Sequence, residues 1–127
     1  IIMLHADTNV IMASGKILKI SEVKEGFYIK TNRGDRKVLS VEIGEDFFSK
    51  FILSDGVKLV VSDGQKFLTP SEEWISVSKV QEGCVFRKPG GKSAKVIDIT
   101  PLQSMVGYNL VVEGGGSFIL SNGLSSK

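Results

Sequence analysis

The stretch ILKISEVKEGFYI (residues 17–29) returns as WISVSKVQEGCVF (residues 74–86), 57 positions further along a chain of 127 residues. Ser21 falls on Ser78, Val23 on Val80, Glu25 on Glu82 and Gly26 on Gly83, with apolar residues matching around them. Two more echoes follow in the same order. KVLSV (37–41) resembles KVIDI (95–99), and FILSDG (51–56) resembles FILSNG (118–123). A repeat of this length in so short a chain implies two related halves, neither able to bury its own apolar face alone.

Each half reads as strand and turn. Runs such as KILKI, FYIKT, RKVLSVEI, SKFILSDGVKLVVS, EEWISVS, CVFRK, AKVIDIT, YNLVVE and SFILSNG are short and rich in Val, Ile and Phe. They are bounded by Gly, Asp, Asn, Ser or Pro, the punctuation of β-structure. Asn122-Gly123, Asp55-Gly56 and Asp63-Gly64 mark turns that tolerate positive φ. Only residues 20–25 and 77–82 have room for a brief helical turn. The expectation is an all-β chain forming one domain over residues 1–127.

Composition excludes more than it selects. The chain is 42% apolar and 24% charged, with a net charge of +2, ordinary for a globular domain. That charge does not by itself argue for nucleic acid. A single cysteine, Cys84, rules out an internal disulfide, and with His5 as the sole histidine it cannot supply the usual four-ligand zinc site. No metal or cofactor is expected. No apolar run approaches the roughly 20 residues that span a bilayer, so no membrane partner is expected. The opening IIMLHADTNV lacks the basic and apolar regions of a signal peptide. A reducing intracellular location is the default, and a start at Ile1 rather than Met suggests a piece cut from something longer.

Three blocks carry a family likeness. They are MLHADTNVIMASGKILKISEVKEG (3–26), LVVSDGQKFLTPSEEWISVSKVQEG (59–83) and GYNLVVEGGGSFILSNGL (107–124). In this order and at this spacing the chain resembles the Hint superfamily of inteins, hedgehog autoprocessing domains and bacterial intein-like domains. The resemblance implies a flat, horseshoe-shaped, nearly all-β disc of two pseudo-symmetric halves with close-set termini. It also implies that the short FRKPGGKSAK (86–95) fills the place where larger relatives carry an endonuclease.

The same resemblance assigns positions to chemistry, and this chain departs from each. The first-residue nucleophile, usually Cys or Ser, aligns with Met3, whose thioether has no ionisable proton. The Thr-x-x-His of the second block aligns with Ser62 through Gln65, and an amide such as Gln65 is no acid or base near neutral pH. The Asp of the YDL-type strand aligns with Asn109. A histidine near the aromatic aligns with Gly116, and the penultimate histidine with Lys127. The cyclising Asn would fall beyond Lys127. The Met-Leu start and Lys127 are also similar to the Hint part of the yeast mating-type switching endonuclease, which no longer splices. The resemblance thus implies a degenerate domain kept as a module or insert, with host sequence flanking both termini. The alternatives are residual autoprocessing and a module binding protein or nucleic acid.

Other features have plainer readings. Asp7 satisfies backbone N–H groups at a turn, His5 is an exposed bystander, and Cys84 is a small core hydrophobe. Arg33-Gly34-Asp35 is a charged hairpin tip. Gly114 to Gly116 form a flexible turn, because no helix follows to cradle a phosphate. Arg87, Lys88, Lys92 and Lys95 are the candidate phosphate contacts, with no interleaved aromatic for stacking. As an isolated domain the chain is expected to be a monomer.

Overall fold

The structure is a computed structural model and describes residues 3–127; Ile1 and Ile2, on which the suggestion of a cut end rests, lie outside the described residues. Among the described residues twelve strands follow one another: β1 (Leu4–His5), β2 (Asn9–Ile11), β3 (Ile17–Lys19), β4 (Tyr28–Thr31), β5 (Gly34–Leu53), β6 (Lys58–Ser62), β7 (Lys66–Leu68), β8 (Trp74–Ser76), β9 (Val85–Arg87), β10 (Ser93–Val112), β11 (Phe118–Ile119) and β12 (Ser125–Ser126). The only helical pieces among the described residues are single 3₁₀ turns at Ile20–Glu22, Val77–Lys79 and Pro89–Gly91. The chain is all-β.

β5 and β10 pair antiparallel along most of their length and form the spine. β6 joins β5, and the short β1 bridges β6 and β10, with Leu4 opposite both Val61 and Tyr108. The four strands thereby close on one another, and Leu4 is fully buried. A second sheet runs β11–β12–β7–β8. The core gathers Phe51, Phe67, Phe86 and Phe118 with Ile20, Ile29, Leu53 and Leu120. Phe67 and Phe86 meet at 5.2 Å between ring centroids. Each side chain fully buried this way contributes about 1.5–3 kcal/mol.

The stretches 17–29 and 74–86 have the same geometry. Each runs from a short strand into a 3₁₀ turn, closed by Val23 N–H to Ile20 O (3.1 Å) in one and Val80 N–H to Val77 O (3.0 Å) in the other. Gly26 N–H donates to Val38 O and Gly83 N–H to Val96 O, both at 2.8 Å. Each stretch then pairs with a spine strand, β4 with β5 and β9 with β10.

Two expectations need correction. RKVLSVEI and SKFIL are not separate strands but one, β5; AKVIDIT and YNLVVE likewise merge into β10. Gly44 and Gly107, which punctuate the sequence, face each other in register across the spine and neither adopts positive φ. They serve close packing rather than a turn. Pro101 is accommodated at a register shift before Ser104, where a strand tolerates a residue without an N–H. The second correction concerns Asp63-Gly64, where Gly64 also lacks positive φ. The turn closes instead through Gln65 N–H to Ser62 O, 3.1 Å.

Candidate functional site

Strand pairing brings Met3 and the last residues, Ser126 and Lys127, to the Ser62–Gln65 turn. Met3 enters between β6 and β10, where its N–H donates to Ser62 Oγ (2.8 Å) and its carbonyl accepts Ser62 N–H (3.0 Å). Its side chain is 6% exposed. Gly44 and Gly107 form its bed: a Cβ added to Gly107 would sit 2.5 Å from Met3 Cβ and 2.6 Å from Phe48 Cζ. Met3 is thus packed as a core residue.

Gln65 is completely buried. Its Nε2 donates to Ser126 Oγ and, at 3.1 Å, to the carbonyl of Lys127. The backbones of Lys66 and Lys127 exchange both hydrogen bonds, at 3.1 and 3.3 Å, so the last residues add β12 to the edge of β7. Gln65 Oε1, shut off from solvent, has no partner among the described residues. An idle buried carbonyl costs about 1–3 kcal/mol. Four assigned positions, Met3, Ser62, Gln65 and Lys127, therefore meet at one turn.

The other two lie apart from that turn's hydrogen bonds. Asn109 Nδ2 donates across the spine to Glu42 Oε1 (3.0 Å). Gly116 lies in the turn between β10 and β11 and lines a cleft of about 440 Å³ that Lys127 and Trp74 also line. The Lys127 ammonium stands 5.4 Å from the Trp74 ring centroid, a favourable cation–π distance.

The basic segment forms the β9–β10 hairpin. Lys88 is bonded to Asp55, and Arg87 Nη1 to Glu72 Oε1 at 3.1 Å. The Lys88 hydrogen bond holds the Asp55 carboxyl below the usual carboxylate range, against an opposing push from burial. Two of the four cations are thus already matched, while Lys92 and Lys95 are exposed. Phosphate would have to compete with both carboxylates.

Asp7 does not cap its turn as expected. Its carboxylate lies 3.6 Å from Lys19 Nζ, while His5 Nδ1 accepts the Asp7 N–H at 3.1 Å. The imidazole takes the role because it folds back over the two residues that follow it. Half-buried Cys84 packs against the core, its Sγ accepting Gln81 N–H.

Sequence reasoning passed over Ser126, Gly107 and Trp74. An isolated glycine within a strand pattern is a known sign of close approach, so Gly107 carried a signal. Ser126 carried none, since a polar tail gives no hint of burial.

No family model matches the chain and no curated protein matches it. Solved structures do. The crystal structure of the gp41-1 intein superposes with a TM-score of 0.86 at 23% identity, over 98% of this chain and 97% of that one. A DnaB intein from Synechocystis sp. gives 0.85 at 18%, over 98% and 97%. A bacterial intein-like domain from Clostridium thermocellum gives 0.82 at 16%, over 98% and 96%. The match runs end to end, and the hairpin of β9 and β10 is all that stands between the second and last sequence blocks. The chain therefore has the Hint fold of a small intein, all-β and without an endonuclease insert.

Proposed function

We propose that residues 1–127 form one Hint-like domain that no longer splices and persists as a folded insert or structural module of a larger host protein. The observation that carries this reading is the chemistry at the junction turn. Where an intein needs a nucleophile, Met3 offers a buried thioether on a glycine bed, with no proton to lose. Where it needs a group to give and take a proton, Gln65 offers a neutral amide. Gln65 supports the reading in a second way. Its Nε2 donates to Ser126 Oγ and to the Lys127 carbonyl while its Oε1 stays idle, so Gln65 ties down the last residues but leaves an unpaired buried acceptor.

The arrangement suits an insert. Met3 and Lys127, the first and last described residues, both bond at the Ser62–Gln65 turn, so flanking host sequence would leave and rejoin near one place. The matched hydrogen bonds of 17–29 and 74–86 support an origin in a duplicated β unit.

The test is the intact mass of the full-length native protein, measured fresh and after long incubation with thiol. One unchanged mass that includes this segment is expected. A mass lowered by the 13.8 kDa domain, or pieces divided at Met3 or just past Lys127, would mean that splicing or cleavage survives.

A further inference from the structure

The cleft beside the junction collects positive charge without a matching carboxylate partner. Arg33 and Arg36 reach it from the hairpin joining β4 to β5, Lys127 from the chain end, and Trp74 from the start of β8. Among the described residues none of the three cations forms an ion pair, whereas Arg87 and Lys88 on the β9–β10 hairpin both do. The one carboxylate in the lining is Glu113. The wall between them is the turn Gly114–Gly116, whose φ values are +81°, +66° and +114°. Gly115 N–H is used within the turn, to Val112 O at 3.1 Å, but the N–H groups of Gly114 and Gly116 meet no acceptor among the described residues. Arg36 lies against this turn, its Nε 3.8 Å from where a Gly114 Cβ would be.

We propose that this cleft binds a diphosphate polyanion, as free pyrophosphate or as the diphosphate of a nucleotide. Two guanidinium groups match phosphate oxygens bidentately, which a lysine cannot do. Uncommitted backbone N–H groups add donors at no side-chain entropy cost, and glycine lets the anion approach the main chain closely. No helix follows Gly116, so attraction comes from the guanidinium charges rather than from a helix terminus. A volume of about 440 Å³ is within the range of small-ligand sites. Trp74 adds a ring face at the mouth, now covered by Lys127, on which a base can stack if the ammonium swings to the anion. The inference stands on the cleft and is independent of whether the domain splices.

Trp74 is the sole tryptophan, so its emission reports this cleft alone. Titrating the 127-residue chain with pyrophosphate and separately with ADP is expected to give a saturable change. The double variant R33Q/R36Q is expected to weaken binding at least ~10-fold, since each lost charged hydrogen bond is worth about that factor. K24Q/K79Q, two exposed lysines outside the cleft lining, is expected to bind as the parent does. Tighter binding of ADP than of pyrophosphate marks a nucleotide with its base on Trp74, and equal binding marks the bare anion. The proposal is overturned if emission changes without saturating through the millimolar range, or if R33Q/R36Q binds unchanged. It is also overturned if a poly-glutamate peptide outcompetes both phosphates, which would make the cleft a peptide site. Thermal melts of both double variants exclude misfolding as the cause.

Discussion

The turns Leu53–Val57 and Leu120–Leu124 share a design and differ in their surroundings. In each, the fourth residue's N–H donates back to the first carbonyl at 2.9 Å: Gly56 to Leu53, and Gly123 to Leu120. In each, an Asx side chain takes the N–H two residues on, Asp55 from Val57 (3.2 Å) and Asn122 from Leu124 (3.0 Å). Each glycine sits near φ +87°, at +86° and +88° respectively, as a three-residue hairpin loop demands. Both turns also meet the β9–β10 hairpin, but by different means. Asp55 holds Lys88 by charge, while Gly123 lies so close to Pro89 that an added Cβ would be 2.8 Å from its Cδ. One local code thus supports two kinds of tertiary contact, and the neighbours decide how much each glycine matters.

That contrast is open to direct attack, and Gly107→Ala is expected to do the most damage. It involves crowding with no turn, since its Cβ would collide with Met3 and Phe48. A loss of about 3 kcal/mol in chemical denaturation is expected; a loss no larger than that at Gly56 would show that the junction yields. Gly123→Ala combines positive φ with the Pro89 collision, and about 2 kcal/mol is expected. Gly56→Ala has the same φ but nothing within 4 Å, so only backbone strain of about 1 kcal/mol remains. Equal losses at Gly56 and Gly123 in parallel melts would break the comparison.

Asp55→Asn makes the first turn match the second and removes only the charge. The partly exposed pair with Lys88 is worth at most about 1 kcal/mol. Because the folded pKa of Asp55 is depressed, its contribution is present above the unfolded carboxylate pKa and fades as pH falls through the lower, folded value. The stability gap between parent and variant is therefore expected at neutral pH and gone in strong acid. A gap that persists in acid would point to the turn itself rather than the ion pair.

Local pattern carried most of the strands, because alternation and turn chemistry act over a few residues. It failed at Gly44 and Gly107, where glycine marks room for another chain rather than an end of strand. It failed again at Asp7, whose carboxylate found Lys19 while His5 took the N–H. The candidate site was legible as a set of aligned positions, including Met3, Gln65 and Lys127. Their convergence on one turn was not, nor was the part of Ser126, because hydrogen bonds such as Gln65 to Ser126 join residues 61 positions apart.

What the amino-acid order determined alone was the period-two pattern, the loop glycines, the echo of 17–29 in 74–86 and the absence of an ionisable group at Met3 and Gln65. These follow from side-chain chemistry and nearest neighbours. Tertiary structure decided that Met3 is bedded on Gly107, that Gln65 is sealed with an idle carbonyl, and that Arg33, Arg36 and Lys127 share a cleft. Such facts depend on which distant strands pair. Pairing is set by burial of the whole apolar face at once, so no local window of sequence contains it.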